Sequence, residues 1–429
     1  MLTLKFLKEN KEAYLKDLEK RNESELKVKV EELFSLDELR RKTQQKLDSL
    51  RAERNKAAME VAKLKKEGKD ASEVLKKMKD LSDEIKNLEK ELEDIEQRIQ
   101  DILLILPNMT HESVPYGKDE QDNVVIKEVG AKKIYDFKPK DHIDLFEMND
   151  WFDLERAAKV AGSRFYYLKG DMVKLEMALI QYALDFLEKK GFKLFTVPMI
   201  VKSAALYGTG FLPRGKEDLY KIEGEDKYLI GTAEVSLGAM HMDEVLIQDE
   251  LPLRYAGVSS CFRTEAGSHG RDTKGIFRVH QFEKVEMFIF SHPDESWDEH
   301  EFLLKTAEEF YQSLGIPYRV VNISSGDLGW VAAKKYDIEA WLPGQGKYRE
   351  VVSCSNCTFY QATRLNVKYR EKEGSKPKDY VHTLNSTLVA VQRTLIAIAE
   401  NYQQKDGSIE IPKVLRPYMG GREVLGGKK

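Results

Sequence analysis

The residues best able to do chemistry lie in one stretch, Cys261-Phe-Arg263-Thr-Glu265-Ala-Gly267-Ser-His-Gly270-Arg271-Asp-Thr-Lys274-Gly275-Ile-Phe-Arg278-Val-His280-Gln281-Phe282-Glu283-Lys-Val-Glu286. It reads as a strand ending in arginine, a Gly/polar loop, and a second strand opened by arginine. Two guanidinium groups on one edge of a hairpin suit a polyphosphate, because each binds phosphate through paired N–H donors and stays charged. Phe282 and Glu286 stand four apart on the second strand and so share a face. An aromatic plate, arginines and a carboxylate together could hold a base and an amine. A surface hairpin laced with salt bridges would account for any single Arg–Glu pair, but it does not call for the whole combination. Other candidates fall away. Gly210-Phe-Leu-Pro-Arg-Gly215-Lys216-Glu217 is one residue short of a phosphate loop; Glu217 stands where Ser or Thr would ligate magnesium, and Pro213 removes an amide donor. Gly208-Thr-Gly210 lacks the third glycine of a dinucleotide fingerprint. Cys354-Ser-Asn-Cys357 has zinc-knuckle spacing without a second Cys/His pair and reads as two packed thiols.

The elements that must position this stretch are legible in part. Short β-rich runs (Lys193–Val201, Tyr228–Ile230, Leu253–Cys261, Lys284–Phe290, Tyr318–Val321) alternate with helical ones (Val173–Lys189, Glu299–Leu314, Leu388–Asn401). Their connections resemble hairpins more than βαβ crossovers, so an antiparallel α+β sheet flanked by helices is expected. Upstream the pattern changes. Val74, Met78, Leu81, Ile85, Leu88, Leu92, Ile95, Ile99 and Ile102 alternate spacings of four and three, the seam of a coiled coil. Leu36, Thr43, Leu50, Ala57 and Leu64 recur every seven, with Leu47 and Val61 on a neighbouring row. Between them Gly68 can end one helix, and Asp70 with Glu73 resembles a capping box for the next. A short turn there makes the helices antiparallel, giving a rod over about residues 36–104 within an all-α domain of residues 1–106. Leu106-Pro107-Asn108 stops the rod, and residues 107–429 form the second domain.

Composition narrows the function classes. Charged residues make up 33 % of the 429, above the roughly 25 % of ordinary soluble domains, and the rod holds much of the excess. Residues 40–79 carry fourteen Lys/Arg against six Asp/Glu, whereas residues 80–101 carry three against nine. The first helix and the tip are thus basic and the return helix acidic. A solvated rod with helix-stabilising ion pairs, or a dimerising coiled coil, would explain the pattern alone. The overall charge of −4 does not announce a nucleic-acid binder, so such binding must use a local field. Three cysteines point to a reducing compartment, and no apolar run nears the roughly 20 residues of a membrane span. A cytoplasmic chain is expected.

The Arg263–Glu286 stretch resembles motif 2 of class II aminoacyl-tRNA synthetases in the form typical of the seryl enzymes. Further segments resemble that family in order. Leu194-Phe-Thr-Val-Pro198 is similar to motif 1, Thr232-Ala233-Glu234 to the family's threonine–alanine–glutamate loop, and Glu350-Val-Val-Ser353-Cys-Ser-Asn356 to its late strand. Asn385-Ser-Thr387 through Arg393 is similar to motif 3. Ser386 and Leu388 depart from the glycines common around motif 3, and Val352 stands where many relatives have serine.

The resemblance implies ATP-dependent activation of L-serine and its transfer to the 3′-end of tRNA(Ser), with tRNA(Sec) an open second substrate. It implies an ATP site of Arg263, Thr264, Glu265, Arg278, Val279, Phe282, Glu350, Val351, Val352, Ser353 and Arg393. Arg263 and Arg393 would be catalytic, and Glu350 and Ser353 would hold ATP-bound Mg²⁺. A serine site of Thr232, Ala233, Glu234, Arg263, Glu286, Asn385 and Thr387 is implied too. The rod would grip the long variable arm of tRNA in a homodimer, while the acceptor end enters the active site. An amino-acid:carrier-protein ligase, an inactive coiled-coil paralogue, and a threonyl or prolyl enzyme are the rival readings. The basic rod opposes the first, the intact motif arginines and glutamates the second, and the Thr232–Glu234 loop the last.

Overall fold

The computed structural model describes residues 1–266, 272 and 274–427; Gly267, Ser268, His269, Gly270, Arg271 and Thr273 of the expected hairpin loop lie outside them. The chain forms two compact units, one of Thr3–Glu19 and Glu23–Leu106, the other of Met1–Leu2, Lys20–Asn22 and Pro107–Lys429.

In the first unit two short helices, Leu4–Glu9 and Lys11–Lys20, precede the long helices α1 (Lys27–Lys66) and α2 (Ser72–Ile105). At 1.5 Å per residue these are roughly 60 and 50 Å long. Leu81, Ile85, Leu88, Ile95, Ile99 and Ile102 of α2 are buried, as are Leu36, Thr43, Leu47, Ala57 and Val61 of α1. Val74, Met78 and Leu64, near the turn, are only half-buried, as are Leu50 and Leu92 further along the rod. Ion pairs Glu32–Arg98 (3.0 Å), Lys46–Glu84 (2.8 Å) and Glu53–Lys77 (2.6 Å) show the antiparallel run directly: one number rises as the other falls. Gly68 ends α1 in the left-handed region at φ +69°, a conformation that favours glycine. The cap of α2 differs from the expected box. Ala71 is the N-cap, and Asp70 instead accepts from the Ser72 amide at 2.9 Å, the short Asx-type turn open to a residue one place too early. Buried Asp37 meets Lys8, Arg40 (2.9 Å) and Arg41 (2.7 Å). Its burial works against ionisation, but these cations outweigh it and hold the carboxyl below its ordinary range.

The second unit is built on an eight-stranded sheet. Its strands are β1 (Val124–Val129), β2 (Lys193–Thr196), β3 (Leu253–Phe262), β4 (Gln281–Ser291), β5 (Tyr318–Asn322), β6 (Lys334–Leu342), β7 (Lys347–Asn356) and β8 (His382–Ala390). They lie in the order β1-β5-β6-β7-β8-β4-β3-β2, every pair antiparallel except β2–β3. Helices α3 (Asp171–Lys189), α4 (Ser296–Ser313) and α5 (Val391–Tyr402) share one core with one face. Leu303, Ala307 and Phe310 of α4 join Met287 and Ile289 of β4, Ile338 of β6 and Leu384 of β8 there. Alternation along β4 sends Phe288 and Phe290 into a second cluster on the opposite face, with Ala233, Val235 and Leu237.

Three expectations need correction. The run Lys193–Val201 breaks after Thr196, and only Ile200–Val201 resumes as strand, because Val197-Pro198-Met199 interrupts it. Leu388–Ala390 belong to β8, so α5 begins only at Val391; β8 is buried on both faces and shows no alternation to betray it. The β6–β7 hairpin is an element the runs above omit, although Tyr336, Ile338, Ala340 and Leu342 point inward in alternation with Lys335, Asp337, Glu339 and the half-buried Trp341.

Candidate active site

On the sheet face opposite α4, a cavity of about 330 Å³ is lined by residues from β4, β7 and β8, the start of α5, and the turns before them. It gathers Thr232, Glu234, Arg263, Glu265, Arg278, Val279, Phe282, Glu286, Glu350, Val351, Ser353, Asn385, Thr387 and Arg393, residues spread over more than 160 positions.

Strand register explains which side chains arrive. Phe282, Lys284 and Glu286 are alternate residues of β4 and face the cavity together. Glu350 and Ser353 of β7 are three apart, which would put them on opposite faces of a regular strand. A bulge restores them: Val352 pairs with Ile338 but Glu350 pairs with Glu339, leaving Val351 as the extra residue. Three expected residues do not line the cavity. Val352 is buried in the core behind the sheet, Ala233 packs in the Phe288 cluster, and Thr264 is turned away to the Glu217 and Asp218 carbonyls. Ser386 and Leu388 also face away, Ser386 donating to the Thr387 carbonyl and Leu388 joining the core, so the departures noted in the sequence lie behind the pocket.

One end is a wall of cations and rings. Arg263 donates Nε to the Gly231 carbonyl at 3.2 Å, and its guanidinium stands 5.2 Å from the Phe282 ring centre. Arg393 donates to the backbone carbonyls of Glu350 (3.0 Å) and Phe277 (3.3 Å) and meets the Glu350 carboxylate at 3.3 Å. The Phe277 ring has Arg349 at 3.7 Å and Arg393 at 4.6 Å. Glu265, at φ +55°, pairs with Arg278. Withdrawal from water would raise the Glu350 carboxyl, but Arg393, Lys335 and Arg263 outweigh it and hold it low. Behind it, burial lifts Asp337 to about 7, and Asp337 accepts the Ser353 hydroxyl.

The other end is polar and enclosed. Asn385 (3.0 Å) and Gln361 (2.8 Å) both donate to Oε1 of Glu234. Burial, then the neighbouring Glu286, push Glu234 up to about 7. Glu286 is buried against Lys284 at 2.5 Å. The Thr232 hydroxyl accepts from the Glu234 amide at 3.2 Å. A buried patch with two carboxyls, one ammonium, two amides and two hydroxyls can hold a small zwitterion carrying its own hydroxyl. Lys284, Phe277, Gln392 and Gln361 are contributors that sequence reasoning missed. The same even-number parity that singles out Phe282 and Glu286 could have found Lys284. Gln361 carried no local signal, because only the fold brings it to Glu234.

The rejected motifs take structural places. Gly210 ends the helix Ser203–Thr209 in the left-handed region, and Cys354 and Cys357 are buried free thiols. Among the described residues no group of three or more His, Cys, Asp or Glu is placed to hold a metal, and no helix is long and apolar enough to cross a membrane.

Comparison with known proteins bears on both units. Residues 1–110 match the family model described as the seryl-tRNA synthetase N-terminal domain, and residues 219–402 match the tRNA synthetase class II core domain (G, H, P, S and T). The serine–tRNA ligase of Methanocella arvoryzae is 49 % identical over 425 residues, 99 % of this chain and 100 % of that protein. That of Pyrococcus abyssi is 49 % identical over 445 residues, 99 % of this chain and 98 % of its own. Among solved structures, the seryl-tRNA synthetase of Pyrococcus horikoshii complexed with ATP superposes with a TM-score of 0.95 at 48 % identity, covering 100 % of both chains. The cytoplasmic serine–tRNA ligase of Naegleria fowleri in complex with AMP gives 0.88 at 37 %, covering 98 % of this chain and 97 % of that one.

Proposed function

The chain belongs to the seryl-tRNA synthetases, and from that premise we propose how its cavity activates serine with ATP and passes the seryl group to tRNA. The observation that carries the reading is the continuity of two chemistries in one cavity: an arginine–phenylalanine wall at one end and an enclosed polar patch at the other.

At the wall, Phe282 stacks on adenine, with Glu265 as acceptor for its amino group once the Arg278 pair opens. Arg263 holds the α-phosphate, and Arg278 and Arg393 take the outer phosphates. At the patch, Glu234 and Glu286 receive the ammonium and hydroxyl of serine, with Thr232, Asn385 and Thr387 closing around them. The serine carboxylate then forms a bond to the α-phosphorus while the bond to the bridging oxygen breaks and pyrophosphate leaves. No protein nucleophile takes part. The rate comes from placing two anions together and neutralising the charge that develops. A ribose hydroxyl of the terminal adenosine next attacks the acyl carbon, loses its proton and expels AMP. Alanine and glycine are refused because they leave the buried polar groups unpaired.

Glu350 and Ser353 fit a magnesium ion brought by ATP. Both are hard oxygen donors, the bulge at Val351 puts them on one face, and Ser353 spends its proton on Asp337, keeping its lone pairs for a cation. The ion would neutralise phosphate charge, with the phosphates supplying most of its other ligands.

The basic stretch from residue 40 to 79 supports a grip on the backbone of a long variable arm, a contact that reads shape rather than sequence. tRNA(Sec) would carry the same feature. A homodimer is supported by exposed apolar side chains near the motif-1-like strand: Met199 and Ile200 beside it, Val173 and Met177 one turn apart on α3. ATP–pyrophosphate exchange screened across the amino acids tests the reading. Serine alone should support exchange; exchange with another amino acid, or none, would overturn it.

A further inference from the structure

Gln392 is the second residue of α5, lines the cavity, and precedes Arg393. Pairing between β8 and β4 ends at Ala390, opposite Lys284. The next amide on β4, that of Glu283, therefore has no strand partner on that side, and a buried amide needs an acceptor. Gln392 supplies it: its Oε1 accepts from the Glu283 amide at 2.8 Å. An amide N–H can only donate, which fixes the orientation of the Gln392 carboxamide. Its Nε2 must then point the other way, and there it donates to Oε1 of Glu176 on α3 at 2.7 Å. Glu283 sits between Phe282 and Lys284, and its own carboxylate accepts from Ser260 of β3 at 2.6 Å. One side chain thus joins α3, the end of β4 and the first turn of α5.

We propose, resting on the reading of the site given above, that Glu176 is a positioning residue for the nucleotide half of the reaction. It locks the Gln392 carboxamide, and through it the spacing between the Phe282 ring and the Arg393 guanidinium. Glu176 does not itself line the cavity. Burial, and after it the Glu283 carboxylate, lift Glu176 to about 7, so a neutral acceptor in its place is compatible with its surroundings. The consequence is a split between substrates. Loosening the lock displaces the adenine plate and the phosphate clamp but leaves Glu234 and Glu286 where they are.

The test is serine-dependent ATP–pyrophosphate exchange with ATP and serine varied separately. Glu176→Ala should raise the KM for ATP about tenfold, because small misplacements of binding groups are costly, and move the KM for serine by less than about twofold. Glu176→Gln, which keeps the acceptor, should restore the ATP value. Gln392→Ala should raise the KM for ATP as much, and Glu176→Ala should add nothing to it, since the two act as one link. If Glu176→Ala does not fold, Gln392→Met, of similar length without the donor or acceptor, reads the same link. A purely structural role would lower the folded fraction and the apparent kcat while leaving the KM for ATP unmoved. That result, or additivity in the double variant, overturns the inference. Wild-type exchange is the baseline: its absence would overturn the parent reading as well, whereas normal wild-type exchange with unmoved variants sinks this inference alone.

Discussion

The arm and the catalytic cavity both depend on charged residues, yet they treat charge in opposite ways. Between α1 and α2 the ion pairs are largely exposed, as in Lys46–Glu84 with both side chains about half in water (58 % and 46 %), and the seam beneath them carries the stability. Such pairs are worth little individually. In the cavity, Glu234, Glu286 and Lys284 are withdrawn from water, and each is held by a named neighbour. Removing one partner there strands the other, which is far more costly than losing either from a surface. Charge on the arm is a field spread over a surface; charge in the cavity is a set of individual positions.

That contrast can be broken at either end. The largest effect should come from Glu286→Ala: serine-dependent exchange falls about 10³-fold, on the scale of deleting one preorganised polar group, with circular dichroism unchanged. Near-normal exchange would show that the cavity's charges are as dispensable as the arm's. Replacing residues 36–104 by a short Gly/Ser turn should cut aminoacylation of tRNA by about 10²-fold, since phosphate contacts dominate such binding, while exchange stays within about threefold; retained charging would make the arm a structural ornament. For pH, burial and the Glu286 carboxylate hold Glu234 near 7. Its anion is the form that attracts the serine ammonium, so the KM for serine should fall about tenfold from pH 6 to pH 8, and the slope should vanish in Glu234→Gln. On the arm, Ile85→Ala should cost about 2–3 kcal/mol of local stability by hydrogen exchange, and Lys46→Ala less than about 1 kcal/mol. Equal costs would mean that the surface pairs, not the seam, hold the helices.

How much of each region the sequence reveals follows from the same difference. The arm is specified by neighbours three, four and seven apart, so its seam from Leu81 to Ile102 is readable from one segment. The errors there are local too: Asp70 sits one residue before the cap because a side-chain turn and a capping box begin alike. The cavity is assembled from distant segments. Residues inside one strand, such as Phe282 and Glu286, were legible by parity. Gln361 reaches Glu234 from another element, Val351 is displaced by a bulge only a partner strand can define, and neither leaves a local trace. Resemblance puts Val352 in the ATP site, yet that bulge leaves it facing the core.

The opposed numbering of the arm's ion pairs has a consequence for how such an arm can change length. Because Glu32, Lys46 and Glu53 each meet a specific residue on the returning helix, an insertion in one helix alone would slide every pair beyond it out of step. Growth or loss is tolerated only as matched heptads, seven residues gained or lost on both helices, which moves the tip by roughly 10 Å at a time. The arm is in this sense a ruler with discrete marks, and its reach is set in whole steps rather than continuously.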